Sequence, residues 1–107
     1  MTTFDNREAA FENKFAHDQD MAFRVTARRN KLLGQWAAAR MALTEAETDA
    51  YAKSVVQADF EEAGDEDVFR KIRTDFDSAS VSQSDHQIRR TMDELLVKAI
   101  DDVKNVR

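Results

Sequence analysis

Cysteine and proline are missing altogether from this chain of 107 residues, and glycine occurs only at Gly34 and Gly64. Without cysteine there is no disulfide, no thiol nucleophile and no cysteine-bound zinc. Without proline, and with two glycines, little interrupts a helix, so long helices joined by short polar turns are predicted. No apolar run approaches the roughly 18 residues of a membrane span, and no basic-then-apolar leader opens the chain. A soluble cytoplasmic protein with no direct membrane insertion is therefore expected. Two glycines also leave no room for a phosphate-cradling loop, and no nucleophile elbow appears. The composition points away from an enzyme.

What is present fits one modest core. Hydrophobic residues make up 42% and charged residues 35%, which suits a single folded domain and not a disordered chain. The net charge of −5 is unevenly spread. Residues 21–44 carry Arg24, Arg28, Arg29, Lys31 and Arg40 and no acid, whereas residues 45–67 set nine acids against Lys53 alone. A basic helix followed by an acidic one reads most simply as two antiparallel neighbours with complementary surfaces. Nucleic acid is not expected as a partner, because the basic block is short, the chain is acidic and no recognition motif accompanies it.

Hydrophobic periodicity places four helices. At 100° per residue, Phe4, Phe11, Phe15, Ala22, Val25, Leu33 and Trp36 fall on one stripe, interrupted by Asp18 and Arg29. Residues 1–18 offer three large anchors, too thin a face for a stable isolated helix. From Met21 the pattern thickens through Phe23, Val25, Leu32, Leu33, Trp36 and Met41, so a core helix is expected over about 20–42, with Trp36 in the interior. Thr44 and Glu47 form a capping box opening a helix over about 45–61, whose buried edge would be Tyr51, Ala52, Val55, Val56 and Phe60. Gly64 supplies a left-handed stop, and Asp65 is expected to cap a third helix over about 66–78 that buries Val68, Phe69, Ile72 and Phe76. Ser84 and Gln87 repeat the capping logic for a helix over about 85–105, with Ile88, Met92, Leu95, Leu96, Ala99 and Val103 inward. The expected fold is all-α: a small four-helix bundle (19–107) with a flexible N-terminal arm (1–18).

Three features invite chemistry. Six of the nine residues from 59 to 67 are acidic, and Gly64 falls sixth from Asp59 as in a calcium loop. The third, fifth and twelfth positions would then be Glu61, Ala63 and Arg70, which breaks that motif. Acids at the start of the third helix complement its dipole instead. His17 and His86 have no ligand at helical spacing, so no metal site is expected. Arg70, Lys71, Arg73, Arg89 and Arg90 either build an anion site between the last two helices or pair with Asp75, Asp77, Glu94 and the acidic turn. An anion on this surface would be met by Arg70, Arg89 and Arg90, near a helix N-terminus.

Longer strings carry a resemblance. Phe4-Asp5-Asn6-Arg7-Glu8-Ala9-Ala10-Phe11-Glu12-Asn13-Lys14-Phe15 resembles the inhibitory arm of the zeta subunit of alphaproteobacterial ATP synthases. Ala27-Arg28-Arg29-Asn30-Lys31-Leu32-Leu33-Gly34-Gln35-Trp36 is similar to that family's first bundle helix. Asp59-Phe60-Glu61-Glu62-Ala63-Gly64-Asp65-Glu66-Asp67-Val68-Phe69 resembles its central turn, and Ser84-Asp85-His86-Gln87-Ile88-Arg89-Arg90 the start of its last helix. The resemblance implies an inhibitory regulatory subunit of the F1Fo-ATP synthase, associated with the membrane-bound enzyme through F1. The arm would become helical on entering the interface between catalytic and non-catalytic subunits, beside the rotary stalk. The implied contacts are Phe4, Arg7, Phe11, Lys14 and Phe15, flanked by Glu8 and Glu12. Asn6 departs from the acid expected there. The resemblance implies no cofactor beyond weak ATP or ADP binding by the bundle, for which Arg70, Arg89 and Arg90 are the expected nucleotide site. The competing reading is a helical adaptor or nucleotide-sensing module acting through the bundle surface.

Overall fold

In the computed structural model, residues 3–61 and 64–105 are described, those from 3 to 18 by their backbone alone. Four helices follow one another: α1 (Thr3–Arg40), α2 (Glu45–Ala58), α3 (Glu66–Ser78) and α4 (Asp85–Lys104). No strand occurs among the described residues. The all-α four-helix architecture expected from periodicity is the one observed.

Helix α1 packs along α2 and α4, while α3 closes the bundle between them. The core is Leu33 and Ala37 of α1, Val55 of α2, Val68, Ile72 and Phe76 of α3, and Ile88 and Met92 of α4. These residues recur at helical spacing within each segment, so each helix turns one apolar face inward.

Local signals set the boundaries. Glu47 N–H donates to Thr44 Oγ1 at 3.2 Å and Thr44 N–H donates to Glu47 Oε1 at 2.8 Å, closing the first capping box. The Thr44 backbone N–H above all, with the Thr44 hydroxyl second, holds the Glu47 carboxyl below its usual pKa. Ser84 and Gln87 make the same reciprocal pair at 3.1 and 2.9 Å. Helices α1 and α3 stop by a left-handed turn at non-glycine residues, Ala42 (φ 58°) and Ser80 (φ 59°). There Leu43 N–H reaches back to Ala38 O and Val81 N–H to Phe76 O, the six-to-one bonds of a Schellman ending.

Four expectations need correction. Helix α2 ends at Ala58, three residues short of the predicted stop, so Phe60 lies outside it and is exposed. Phe23, expected inward, is exposed as well. Trp36 is half-buried at the core's edge, tilted against Phe76 at 5.5 Å with Arg40 over its outer face. Asp65 stands at the N-cap of α3, but its carboxylate makes no capping bond because it faces Arg29 instead. Gly64 does take the predicted left-handed conformation, at φ 85°.

Candidate functional site

Helix α1 is the element that reaches farthest. Its 38 residues span about 57 Å at 1.5 Å per residue, against about 30 Å for the 20 residues of α4. The molecule measures 64 Å along its long axis and 27 and 21 Å across. An N-terminal stretch of α1 therefore extends beyond the helices that pack against its other half. The predicted contact residues Phe4, Arg7, Glu8, Phe11, Glu12, Lys14 and Phe15 belong to this stretch, and their side chains lie outside the described residues. Their backbone continues, without a break, the helix that enters the bundle.

The place where α1 joins the bundle is built from polar groups. Arg29 is 3% exposed, a costly position for a guanidinium unless every donor finds a partner. Its Nη2 donates to Asp65 Oδ1 at 2.7 Å, and its Nε donates to Asn30 Oδ1 at 2.8 Å. Asn30 is itself buried, and its Nδ2 donates to Asp59 Oδ2 at 3.0 Å. Two adjacent residues of α1 thus hold both ends of the α2–α3 turn. Burial raises the Asp59 pKa, an effect reinforced by Asp67 and Asp65 and opposed by the Asn30 bond and by Arg29. Asp59 and Asp65 of the acidic run thus have a purpose that dipole complementarity alone does not supply: they receive Asn30 and Arg29 of α1.

About two turns N-terminal to this network, Phe23 of α1 stacks on Phe60, with ring centroids 6.0 Å apart and planes 28° from parallel. Ala22, Phe23, Thr26, Ala27, Val56 and Phe60, together with Asn30 and Asp59, line a shallow groove of about 290 Å³ there. A second groove of about 510 Å³ runs between α1 and α2, with Lys31, Asp49 and Lys53 among its lining residues.

The cationic residues of α3 and α4 are spread among carboxylates. Lys71 pairs with Asp75 at 3.0 Å, and Arg73 with Asp77 at 2.8 Å and Asp85 at 2.9 Å. Arg89 donates to Glu66 at 2.8 Å and lies 3.8 Å above the Phe69 ring. Arg90 pairs with Glu94 at 3.0 Å along its own helix, and Arg70 is an exposed residue that also has an interaction partner. An anion at Arg89 or Arg90 would compete with Glu66 or Glu94. Among the described residues no three acidic or histidine side chains assemble as a metal site. Nor is any of their helices long and apolar enough to cross a membrane.

Residue-by-residue reading missed the Arg29–Asn30 anchor and the Phe23–Phe60 pair. The signal for the anchor was present as a polar Arg-Asn step inside an apolar stripe, opposite an acidic run. Nothing comparable announced the Phe pair, because a Phe on the second helix is ordinarily core.

Comparison with known proteins adds the identity of the scaffold. No curated protein matches this chain. A chain whose structure was determined by NMR in solution is similar to it, with 40% identity and a TM-score of 0.72, covering 79% of this chain and 96% of its own. The family model described as ATPase inhibitor subunit zeta matches residues 1–102, so the match includes both the projecting part of α1 and the bundle. On that span the chain belongs to the ATPase inhibitor subunit zeta family.

Proposed function

We propose that this chain inhibits ATP hydrolysis by inserting the N-terminal part of α1 into the F1 head of ATP synthase, between a catalytic and a non-catalytic subunit and against the rotary stalk. The observation that carries this reading is a family match beginning at residue 1, on a helix that outruns its own bundle. A helical stretch that reaches past the helices packed on its other half calls for stabilising contacts elsewhere, since propensity alone gives marginal stability. By sequence register Phe4, Phe11 and Phe15 occupy about 40° of its wheel, the spacing of a helix laid in a groove.

Rotary hydrolysis requires each catalytic interface to open and close in turn. A wedge held in one interface therefore arrests all of them. Arg7 and Lys14, with Glu8 and Glu12 on the flanks, supply charge contacts that set register and encounter rate. The bundle acts as the handle, and it is an inhibitor's scaffold, not a catalyst's.

The test is ATP hydrolysis by the cognate F1 with increasing amounts of the full chain and of its Phe11→Ala variant. Inhibition by the parent that weakens at least tenfold in the variant supports the reading. Equal inhibition by both overturns the role of the arm.

A further inference from the structure

Two exposed, stacked phenylalanines need a reason. Phe23 is 56% and Phe60 67% exposed, while Phe76 of the same molecule is fully buried. Clustered exposed apolar groups beside a groove mark interaction surfaces, whereas scattered ones need no explanation. Phe60 is also held in place: it follows α2 by two residues, its N–H bonds Gln57 O at 3.1 Å, and its ring rests on Phe23. The Asn30–Asp59 side-chain bond ties the residue before Phe60 to α1. A preorganised aromatic pair loses little conformational entropy when a partner covers it.

We infer that the Phe23–Phe60 groove is a second docking surface for the catalytic head, used together with the projecting part of α1. This rests on the reading that the chain binds that head. Continuity along one helix selects this occupant. By register Ala22 and Thr26, which line the groove, fall in the same 60° sector of the α1 wheel as Phe4, Phe11 and Phe15. Phe23 follows Phe15 by eight residues, about 12 Å along the axis. A partner that covers the arm's apolar stripe through Phe15 arrives at Ala22 and Thr26 about two to three turns on, with Phe23 about 80° round the wheel from Phe15. Asp59 is among the groove's lining residues, and the exposed Glu61 follows Phe60. The seat on the head is therefore apolar and edged with basic groups. A second copy of this chain is the poorer occupant, since a twofold contact would set those acids against their own kind.

The proposal is tested on the full chain with Phe60→Ser, Phe23→Ser and Phe11→Ala, measuring binding to isolated F1 and inhibition of its ATP hydrolysis. Thermal midpoints and oligomeric state are recorded for each variant. A benzophenone amino acid placed at position 60 reports what covers the groove. We expect Phe60→Ser and Phe23→Ser each to weaken binding about five- to tenfold, with midpoints unchanged, as for exposed interface aromatics. Cross-linking from position 60 should capture a subunit of the head. Parent-like binding by both Ser variants, with Phe11→Ala impaired, sinks this proposal and leaves the arm reading standing. The reverse pattern sinks the arm reading alone. Cross-linking of position 60 only to a second copy, with dimers lost in Phe60→Ser, overturns the proposal in favour of self-association.

Discussion

A Cβ placed on Gly34 would lie 2.6 Å from the Cα of Ala52 and 3.3 Å from Val55 Cγ2. Helices α1 and α2 touch backbone to backbone at this crossing, so the glycine is needed for closeness and not for flexibility. Gly34→Ala gains up to about 1 kcal/mol of helix propensity but forces the helices apart. The net expectation is a loss of about 1–3 kcal/mol, the usual range for overpacking. Denaturant unfolding measures it, and a more stable variant would mean that the helices yield at low cost.

Ala42 and Ser80 end their helices in the left-handed region, where a Cβ costs on the order of 1 kcal/mol. Glycine relieves that cost and loses some entropy in return. Ala42→Gly and Ser80→Gly should therefore each raise stability by about 0.5–1 kcal/mol. Thermal midpoints that fall in both variants would refute the assignment of strain.

Asp65→Ala leaves the buried Arg29 without its principal anion. Because the Asp65 side chain is half exposed, water replaces part of the contact, and the expected loss is about 2 kcal/mol, below that of a fully buried pair. An unchanged unfolding midpoint would show that Asn30 alone satisfies the guanidinium.

Asp59 gives a test with a sign. Its pKa is higher folded than unfolded, chiefly through burial, so the folded state binds its proton more tightly. The contribution of Asp59 to stability is then present at pH below its ordinary value near 3.8 and is lost as pH rises through the folded value. Asp59→Asn removes that loss while its amide oxygen can still accept from Asn30. The variant should match or exceed the parent at pH 7, and its advantage should disappear on acidification. A variant much less stable than the parent at pH 7 would mean that the charge itself is needed by Arg29.

Helical docking of the arm is best challenged with Ala10→Pro. Proline in mid-helix costs about 3 kcal/mol or more, yet residue 10 precedes every described core residue. Bundle stability should persist while inhibition of F1 hydrolysis is lost, and removal of residues 1–18 should behave in the same way. Full inhibition by Ala10→Pro would show that the arm does not act as one continuous helix.

Much of this was legible in the chain itself. Apolar spacing within α1, α3 and α4, and the Thr44–Glu47 and Ser84–Gln87 pairs, act over three or four residues, so local chemistry determined helix number, order and most starts. The long strings around Phe11, Trp36 and Phe69 determined the family. Other features were decided only when helices met. The endings at Ala42 and Ser80 follow from packing that overrides a residue's own backbone preference. Asp65 could have capped α3, but Arg29, 36 residues earlier, competes for it with a full charge. Trp36 and Phe23 share the sequence pattern of core residues, and only the angle at which α2 and α4 cross α1 leaves one half-covered and the other exposed. Periodicity reports which face of a helix is apolar. Which parts of that face remain uncovered depends on where the neighbouring helices end, and α2 ends at Ala58, two residues before Phe60.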